Sequence, residues 1–290
     1  MDGLHEALVE LLRRVSTDLP PDVERALSNG LAQEAPGSPA ASALSAILKN
    51  VALARSRSTP MCQDTGIPVF TLSHPAHLRP RELQQALERA VARATQLAYL
   101  RPNAVDPLSG RNSGDNVGCG FPSVCFEEWD RDCLQVDLLL KGGGSENVGA
   151  QYALPYAPLS AGRDLEGVRR VVLDAVVRAQ GRGCAPGILG ITIGGQRDTG
   201  YVLAKRQLLR SLEDVNPIPE LAELERRLLV ECNELGIGPM GFGGRTTVLG
   251  VKIGACHRLP ACYFVTISYM CWACRRASLT ICDDAWQIAP

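Results

Sequence analysis

The chain has 290 residues, 46% of them hydrophobic and 21% charged, the composition of an ordinary folded globular protein. Its formal net charge of −1 leaves no electrostatic footprint for nucleic acid or a membrane surface. No apolar run reaches the roughly 18 residues of a transmembrane helix. The first residues, MDGLHEALVELLRRVS, mix acids and bases through the apolar positions, so no secretory signal is expected. The cysteines number 11, odd and without the spacing of a compact disulfide framework. They point to a cytoplasmic chain with most cysteines packed as small hydrophobes and a few on metal.

Leu4, Ala7, Leu8, Leu11, Leu12 and Val15 recur at helical spacing behind Asp2, which predicts an opening amphipathic helix. Pro20-Pro21-Asp22 starts a second helix ending near Gly30, and Ser42 is the expected cap of a third running through Leu53. Then comes Met61-Cys62-Gln63-Asp64-Thr65-Gly66, a soft metal ligand, an amide and a carboxylate on successive residues. Thr65-Gly66 and Ile67-Pro68 read as a turn that lifts those side chains off regular structure. Pro80 to Leu100 is the clearest helix, with a proline start and no glycine. The loop from Asp106 to Gly120 has turn chemistry throughout.

A strand is predicted at Leu134 to Leu140, with Leu134, Val136, Leu138 and Leu140 on one face. Helices are expected at Val168–Ala179, Thr199–Leu209 and Pro219–Leu235, and strands at Ile188–Ile193, Thr246–Ile253, Tyr263–Met270 and Leu279–Ile281. No repeat or long linker divides the chain. The expectation is an α+β fold, helices packed around a small mixed β-sheet, in a single domain over residues 1–290 with 1–43 as a helical lead-in.

Glycine-rich stretches punctuate the strand ends: KGGGS at 141–145, IGGQ at 193–196 and GIGPMGFGG at 236–244. Such turns bring backbone amides close to an anion or simply turn tightly. None fits a P-loop or dinucleotide fingerprint. Cys184 lies in the Gly-rich loop Gly181–Gly187 two residues before a proline, a setting suited either to cluster ligation or to a buried loop cysteine. Cys271-Trp272-Ala273-Cys274 is the single C-x-x-C. Without a second pair it is no ordinary zinc site, and the economical reading is one ligand and one packed cysteine. Arg275-Arg276 beside it reads as a carboxylate clamp or a solvated face. His257 is a candidate proton carrier, and its neighbour Cys256 is a rival ligand, as is Cys274. Cys119, Cys125, Cys133, Cys232, Cys262 and Cys282 lie in or beside apolar segments and are expected to pack.

Taken in order, MCQDTG at 61–66, KGGGSEN at 141–147, GCAPGILGITIGG at 183–195, ELGIGPMGFGG at 234–244 and SYMCWACRR at 268–276 resemble the α-type chains of iron–sulfur hydro-lyases, the class I fumarases and L-tartrate dehydratases. The resemblance spans roughly Leu44 to Ile281. It implies a [4Fe–4S] cluster with one open iron, held by Cys62, Cys184 and Cys271. It also implies substrate contacts from Gln63, Arg101 and the Gly143-Gly144-Ser145 turn, with Asp64 in proton transfer and His257 near the substrate. Single-chain members continue into a further domain that supplies more of the site. The resemblance therefore implies a β-type partner subunit, in an α2β2 or similar oligomer, and a small C4 dicarboxylate substrate. The reaction implied is hydration of fumarate to L-malate and its reverse, with L-tartrate dehydration to oxaloacetate as the alternative. A non-catalytic iron–sulfur or zinc protein is a more distant one.

Overall fold

The computed structural model describes residues 2–283 and 285–290. In chain order they form α1 (Asp2–Thr17), α2 (Pro21–Gln33), α3 (Pro39–Arg57), β1 (Ile67–His74), α4 (Pro80–Gln96), β2 (Ser123–Glu128), β3 (Leu134–Lys141) and α5 (Gly143–Asn147). There follow β4 (Ala150–Ala153), α6 (Leu165–Ala179), β5 (Gly187–Ile193), α7 (Arg197–Gln207), α8 (Pro219–Glu234), β6 (Val248–Ala255), β7 (Phe264–Met270), β8 (Arg275–Cys282) and β9 (Ala285–Ala289). The architecture is α+β with helices on small mixed sheets, as the element order implies. The strands divide between two sheets, of order β2-β1-β3-β8-β9 and β4-β7-β5-β6. Among the described residues no helix is long and apolar enough to cross a membrane.

Each sheet centres one of two compact units. The first comprises the N-terminal stretch to Pro21, Lys49–Gly143 and Ala273–Pro290; the second comprises Asp22–Leu48 and Gly144–Trp272. Because they interleave along the chain, no single point divides it into successive domains.

In the first unit α1 and α4 cover one sheet face. Leu8, Leu11 and Leu12 of α1 and Leu83, Leu87 and Val91 of α4 pack with Phe70, Leu72, Val136, Leu138 and Leu140. The leucine–valine alternation predicted for 134–140 is the buried face, and each such side chain contributes about 1.5–3 kcal/mol by leaving water. Ile67-Pro68 opens a strand instead of closing a turn. Pro68 pairs with Leu140 of β3, while the β2 register begins only at Val69. The proline thus sits where β1 has a single partner, the position a missing N–H permits. The third helix starts earlier than expected because its cap is Ser38, whose Oγ accepts the Ala41 N–H at 3.1 Å; Ser42 lies inside it.

Two of the cysteines expected to pack do something else. Cys133, just before β3, and Cys282, the last residue of β8, are joined by a disulfide. Leu134 is paired with Ile281, so the next positions outward are cross-strand neighbours. Cys232 does pack: it is fully buried in α8, and burial pushes its thiol up to about 12. Cys119 does not pack: it is exposed on the loop before β2, while Cys125 and Cys262 are half-buried.

In the second unit α6 and α8 pack on the face bearing Leu189, Ile191, Ile193, Val251, Val265 and Ile267. On the opposite face α7 comes so close that a Cβ at Gly190 would lie 2.1 Å from the Ala204 carbonyl oxygen. The end of α2 is tied in by Glu34, a buried carboxylate that accepts the N–H groups of Arg245 and Thr246, each at 2.9 Å.

Candidate functional site

The Cys62 loop belongs to the first unit and is held at its start by two helices. Met61 N–H donates to the Ser16 carbonyl at 3.1 Å, and Asn50 Nδ2 of α3 donates to the Met61 carbonyl at 2.7 Å. Met61 is buried, Cys62 half-buried and Gln63 exposed. Gly66 has φ of +80°, and a Cβ there would meet the Lys141 backbone at 2.8 Å. The loop therefore lies directly against the end of β3, an approach only glycine allows.

Asp64 is the junction of this loop. Its Oδ1 accepts the Gly66 N–H at 2.9 Å, and its Oδ2 accepts the Gly143 N–H at 2.7 Å. Arg275 Nη1 donates to its backbone carbonyl at 2.9 Å. A carboxylate on two amide N–H groups is fixed in direction. Half-exposed, it can still exchange a proton with a bound molecule. Arg275 and Arg276 are both buried, so neither forms a solvated face, and Arg276 Nη1 lies 3.7 Å from the Cys274 sulfur.

Thr65 supplies the next connection. Fully buried, its Oγ1 accepts from the Arg101 N–H and from Asn103 Nδ2, both at 3.0 Å. Arg101 carries its guanidinium on an exposed residue, while its backbone is held by Thr65 and by Asn116, whose Nδ2 donates to the Arg101 carbonyl at 2.7 Å. Asn116 is itself buried. Its Oδ1 accepts from the N–H groups of Asn103 (2.6 Å) and Ala104 (3.1 Å), and its Nδ2 also reaches Thr95 Oγ1 at 3.0 Å. The backbone at Asn116 is left-handed, φ 62°, which asparagine tolerates better than most residues. Replacing it with alanine strands several buried groups. Asn116→Ala is expected to lower the stability of the unit by about 3 kcal/mol, read as a lower urea midpoint with an unchanged slope.

Sequence reasoning singled out none of Thr65, Asn103 or Asn116. The available signal was the density of Asn, Ser, Asp and Gly in 103–120, which reads as turn chemistry until burial is known.

Of the Gly-Gly-Ser turn, Gly143 and Gly144 are exposed and Ser145 is buried. Gly143 closes the first unit and starts α5, with Asp64 accepting from its N–H; Gly144 and Ser145 belong to the second unit.

In the second unit Cys184 and Cys271 occupy adjoining loops. The Trp272 N–H donates to the Cys184 carbonyl at 3.2 Å, and both thiols are half-buried. Cys184 is left-handed, φ 56° and ψ 61°, a conformation that costs a non-glycine residue about 1 kcal/mol or more and clusters at functional loops. Its loop is folded over Tyr269: a Cβ at Gly183 would lie 2.5 Å from Cε1 of the ring, and one at Gly187 would lie 2.3 Å from Cζ. From the other side the Met240 N–H donates to the Ala185 carbonyl at 2.8 Å. Cys274, the second member of the C-x-x-C, is fully buried.

His257 is exposed after β6, and its carbonyl accepts the Gly195 N–H at 3.3 Å. Cys256 is half-buried with its sulfur 3.8 Å from the Ile193 carbonyl, and burial raises its pKa.

Among the described residues no three or more His, Cys, Asp or Glu side chains converge as a metal site. The residues nevertheless fit an iron–sulfur group by donor chemistry. Cys184 and Cys271 are neighbouring, half-exposed thiols, and Cys62 on its own loop is a third of the same kind. The Tyr269 hydroxyl is buried with no hydrogen-bond partner among the described residues. Burial raises its pKa, and the charges of Cys271 and Cys184 add to that rise. An orphaned donor near two thiols is what a sulfur-rich centre would satisfy.

The chain matches the family model described as fumarate hydratase (Fumerase) over residues 5–280. It is 46% identical over 99% of its length to a protein of Geobacillus stearothermophilus named as a candidate class I fumarate hydratase, of which it spans 57%. It is 36% identical over 97% of its length to a candidate L(+)-tartrate dehydratase subunit alpha of Methanocaldococcus jannaschii, spanning 99% of that protein. With the L(+)-tartrate dehydratase subunit alpha of Escherichia coli K12 the identity is 32%, over 98% of this chain and 92% of the relative.

Proposed function

The chain belongs to the class I fumarase and L-tartrate dehydratase α-subunit family, and we propose that within it the protein is the cytoplasmic α subunit of a [4Fe–4S]-dependent hydro-lyase interconverting fumarate and L-malate. The whole chain serves as the catalytic α-type domain. The observation that carries the reading is the Asp64 carboxylate, half-exposed on two backbone amides two residues after Cys62.

Cys62, Cys184 and Cys271 are the thiolate ligands in this reading. When bound, such a cluster supplies a Lewis-acidic iron that polarises the substrate's carboxylate and hydroxyl. The chain's own residues do the rest. Dehydration removes a proton from the carbon beside one carboxylate and hydroxide from the neighbouring carbon, and the two leave as water. Asp64 holds or delivers a proton at its carboxylate. The Arg101 guanidinium and Gln63 amide orient the dicarboxylate, and the Gly143-Gly144-Ser145 turn contacts the carboxylate on which negative charge builds, through the Gly144 and Ser145 N–H groups while that of Gly143 holds Asp64. His257 is a second proton carrier. A β-type subunit completes the site, in an α2β2 or similar assembly.

L-tartrate dehydration is the second reading. It is favoured by the near-complete coverage of the two relatives named as tartrate dehydratase alpha subunits, against the higher identity to the fumarate hydratase relative. Anaerobic co-purification with the β-type chain, followed by iron and sulfide analysis and assays on fumarate, malate and both tartrates, tests the two together. Turnover of fumarate and L-malate is expected. Turnover of tartrate alone selects the second reading. Zinc in place of iron and sulfide, or a full cluster without turnover of any of the four, overturns both.

A further inference from the structure

Arg275 is only 1% exposed, yet among the described residues no carboxylate comes within ion-pair distance of it. Its Nη1 is spent on a neutral acceptor, the backbone carbonyl of Asp64 at 2.9 Å, and its Nε has no partner. Burying a guanidinium without a counter-charge costs several kcal/mol, so stability alone does not account for it. Strand pairing does not need it either, since the register of β8 with β3, Arg275 opposite Leu140, is made by backbone groups.

Where the charge lies is more informative. A Cβ at Gly142 would stand 3.0 Å from Asp64 Oδ2 and 3.7 Å from Arg275 Nη2. The carboxylate and the guanidinium therefore border the same glycine. The N–H of the next residue, Gly143, holds Oδ2, and the N–H of Gly66 holds Oδ1. Those two bonds fix the carboxylate's direction but not the peptide that carries it. The third, from Arg275, fixes the peptide.

We propose that Arg275 is the positioning residue of Asp64, a buried clamp on its carbonyl that keeps the carboxylate at a single angle to whatever it protonates. The proposal rests on the reading of Asp64 as the proton-transfer group. Loss of the clamp frees the Asp64–Thr65 peptide to tilt, and a displacement of about 1 Å at a reacting group is enough to cost about 100-fold in rate. Binding is expected to change little, because Arg101 has a separate support from Asn116 at its carbonyl.

The test uses the full chain with its β-type partner, prepared anaerobically. Arg275→Met is expected to lower kcat about 100-fold with KM and iron and sulfide content as in the unsubstituted enzyme. Arg275→Lys, which keeps a donor for the carbonyl, should recover most of that loss. Gly142→Ala leaves the arginine in place but sets a methyl against Oδ2, and should reproduce the kcat loss even where the methionine variant does not fold. An unchanged kcat in Arg275→Met or Gly142→Ala overturns the proposal, as does a loss that only tracks cluster content or that falls on KM. An unsubstituted enzyme with a full cluster and no turnover overturns the hydro-lyase reading first, and this proposal with it.

Discussion

Cys62→Ser, Cys184→Ser and Cys271→Ser will each leave the chain without a stable iron–sulfur cluster, read as loss of iron, sulfide and visible absorption in anaerobic preparations. A serine hydroxyl is a far harder and less acidic donor than a thiol, and a cube held by three ligands has none to spare. The effect should be close to all-or-none, whereas Cys232→Ser, in the core of the second unit, should lower stability without removing iron. Cys271 carries the sharpest test. Its partner in the C-x-x-C, Cys274, is fully buried while Cys271 is half-exposed, so Cys271 is the member of the pair expected to bind iron. A full cluster in Cys271→Ser, lost instead in Cys256→Ser, would transfer the third ligand to Cys256.

Asp64→Asn is expected to keep the cluster and lose turnover by about 10²–10⁴-fold, the usual contribution of a positioned acid or base. Two effects act in the same direction. An amide cannot carry the proton, and its NH₂ cannot accept the N–H bonds that both carboxylate oxygens now accept. One of the Gly66 and Gly143 donors then faces another donor, so the side chain turns away from its present angle. Asp64→Glu separates the two effects: it restores the proton carrier but sets the carboxylate one methylene further out. Substantial retained activity in Asp64→Asn, measured with the β-type partner present, would remove Asp64 from the mechanism.

What could be read from the sequence followed the strength of periodic patterning. The helices at 80–96, 165–179 and 219–234 were legible because each presents an apolar stripe behind a proline or aspartate start, and β3 because its alternation is unbroken over the buried face. Strands β1, β2, β4 and β9 were not. β1 is an inner strand whose start, Ile67-Pro68, reads as turn chemistry. The other three are each the edge of a sheet, where one side of the strand meets solvent and the hydrophobic alternation fades, as in Glu127 and Glu128 of β2. The disulfide needed the register of β3 with β8, which no spacing in the sequence reveals.

The candidate site divides the same way. Cys62, Gln63 and Asp64 stood out because turn-type residues follow them; in the structure the glycine among these, Gly66, brings the loop against the end of β3. Thr65 gave no such signal, since a buried threonine accepting two N–H bonds looks in sequence like any turn residue. Arg275 was visible as part of a basic pair, but its burial, which gives it a role, comes only from the strand it begins.

The interleaving of the two units sets an order on synthesis. In the first sheet β3 pairs with β8, yet the whole of Gly144–Trp272 is made between them. At roughly 5–20 residues per second a ribosome exposes an unfinished sheet edge at β3 for on the order of ten seconds before its neighbour emerges. The second unit's sheet, by contrast, has all four of its strands before β8 exists. Arg275 is the first residue of that late strand, so the clamp on Asp64 is among the last contacts the growing chain can make.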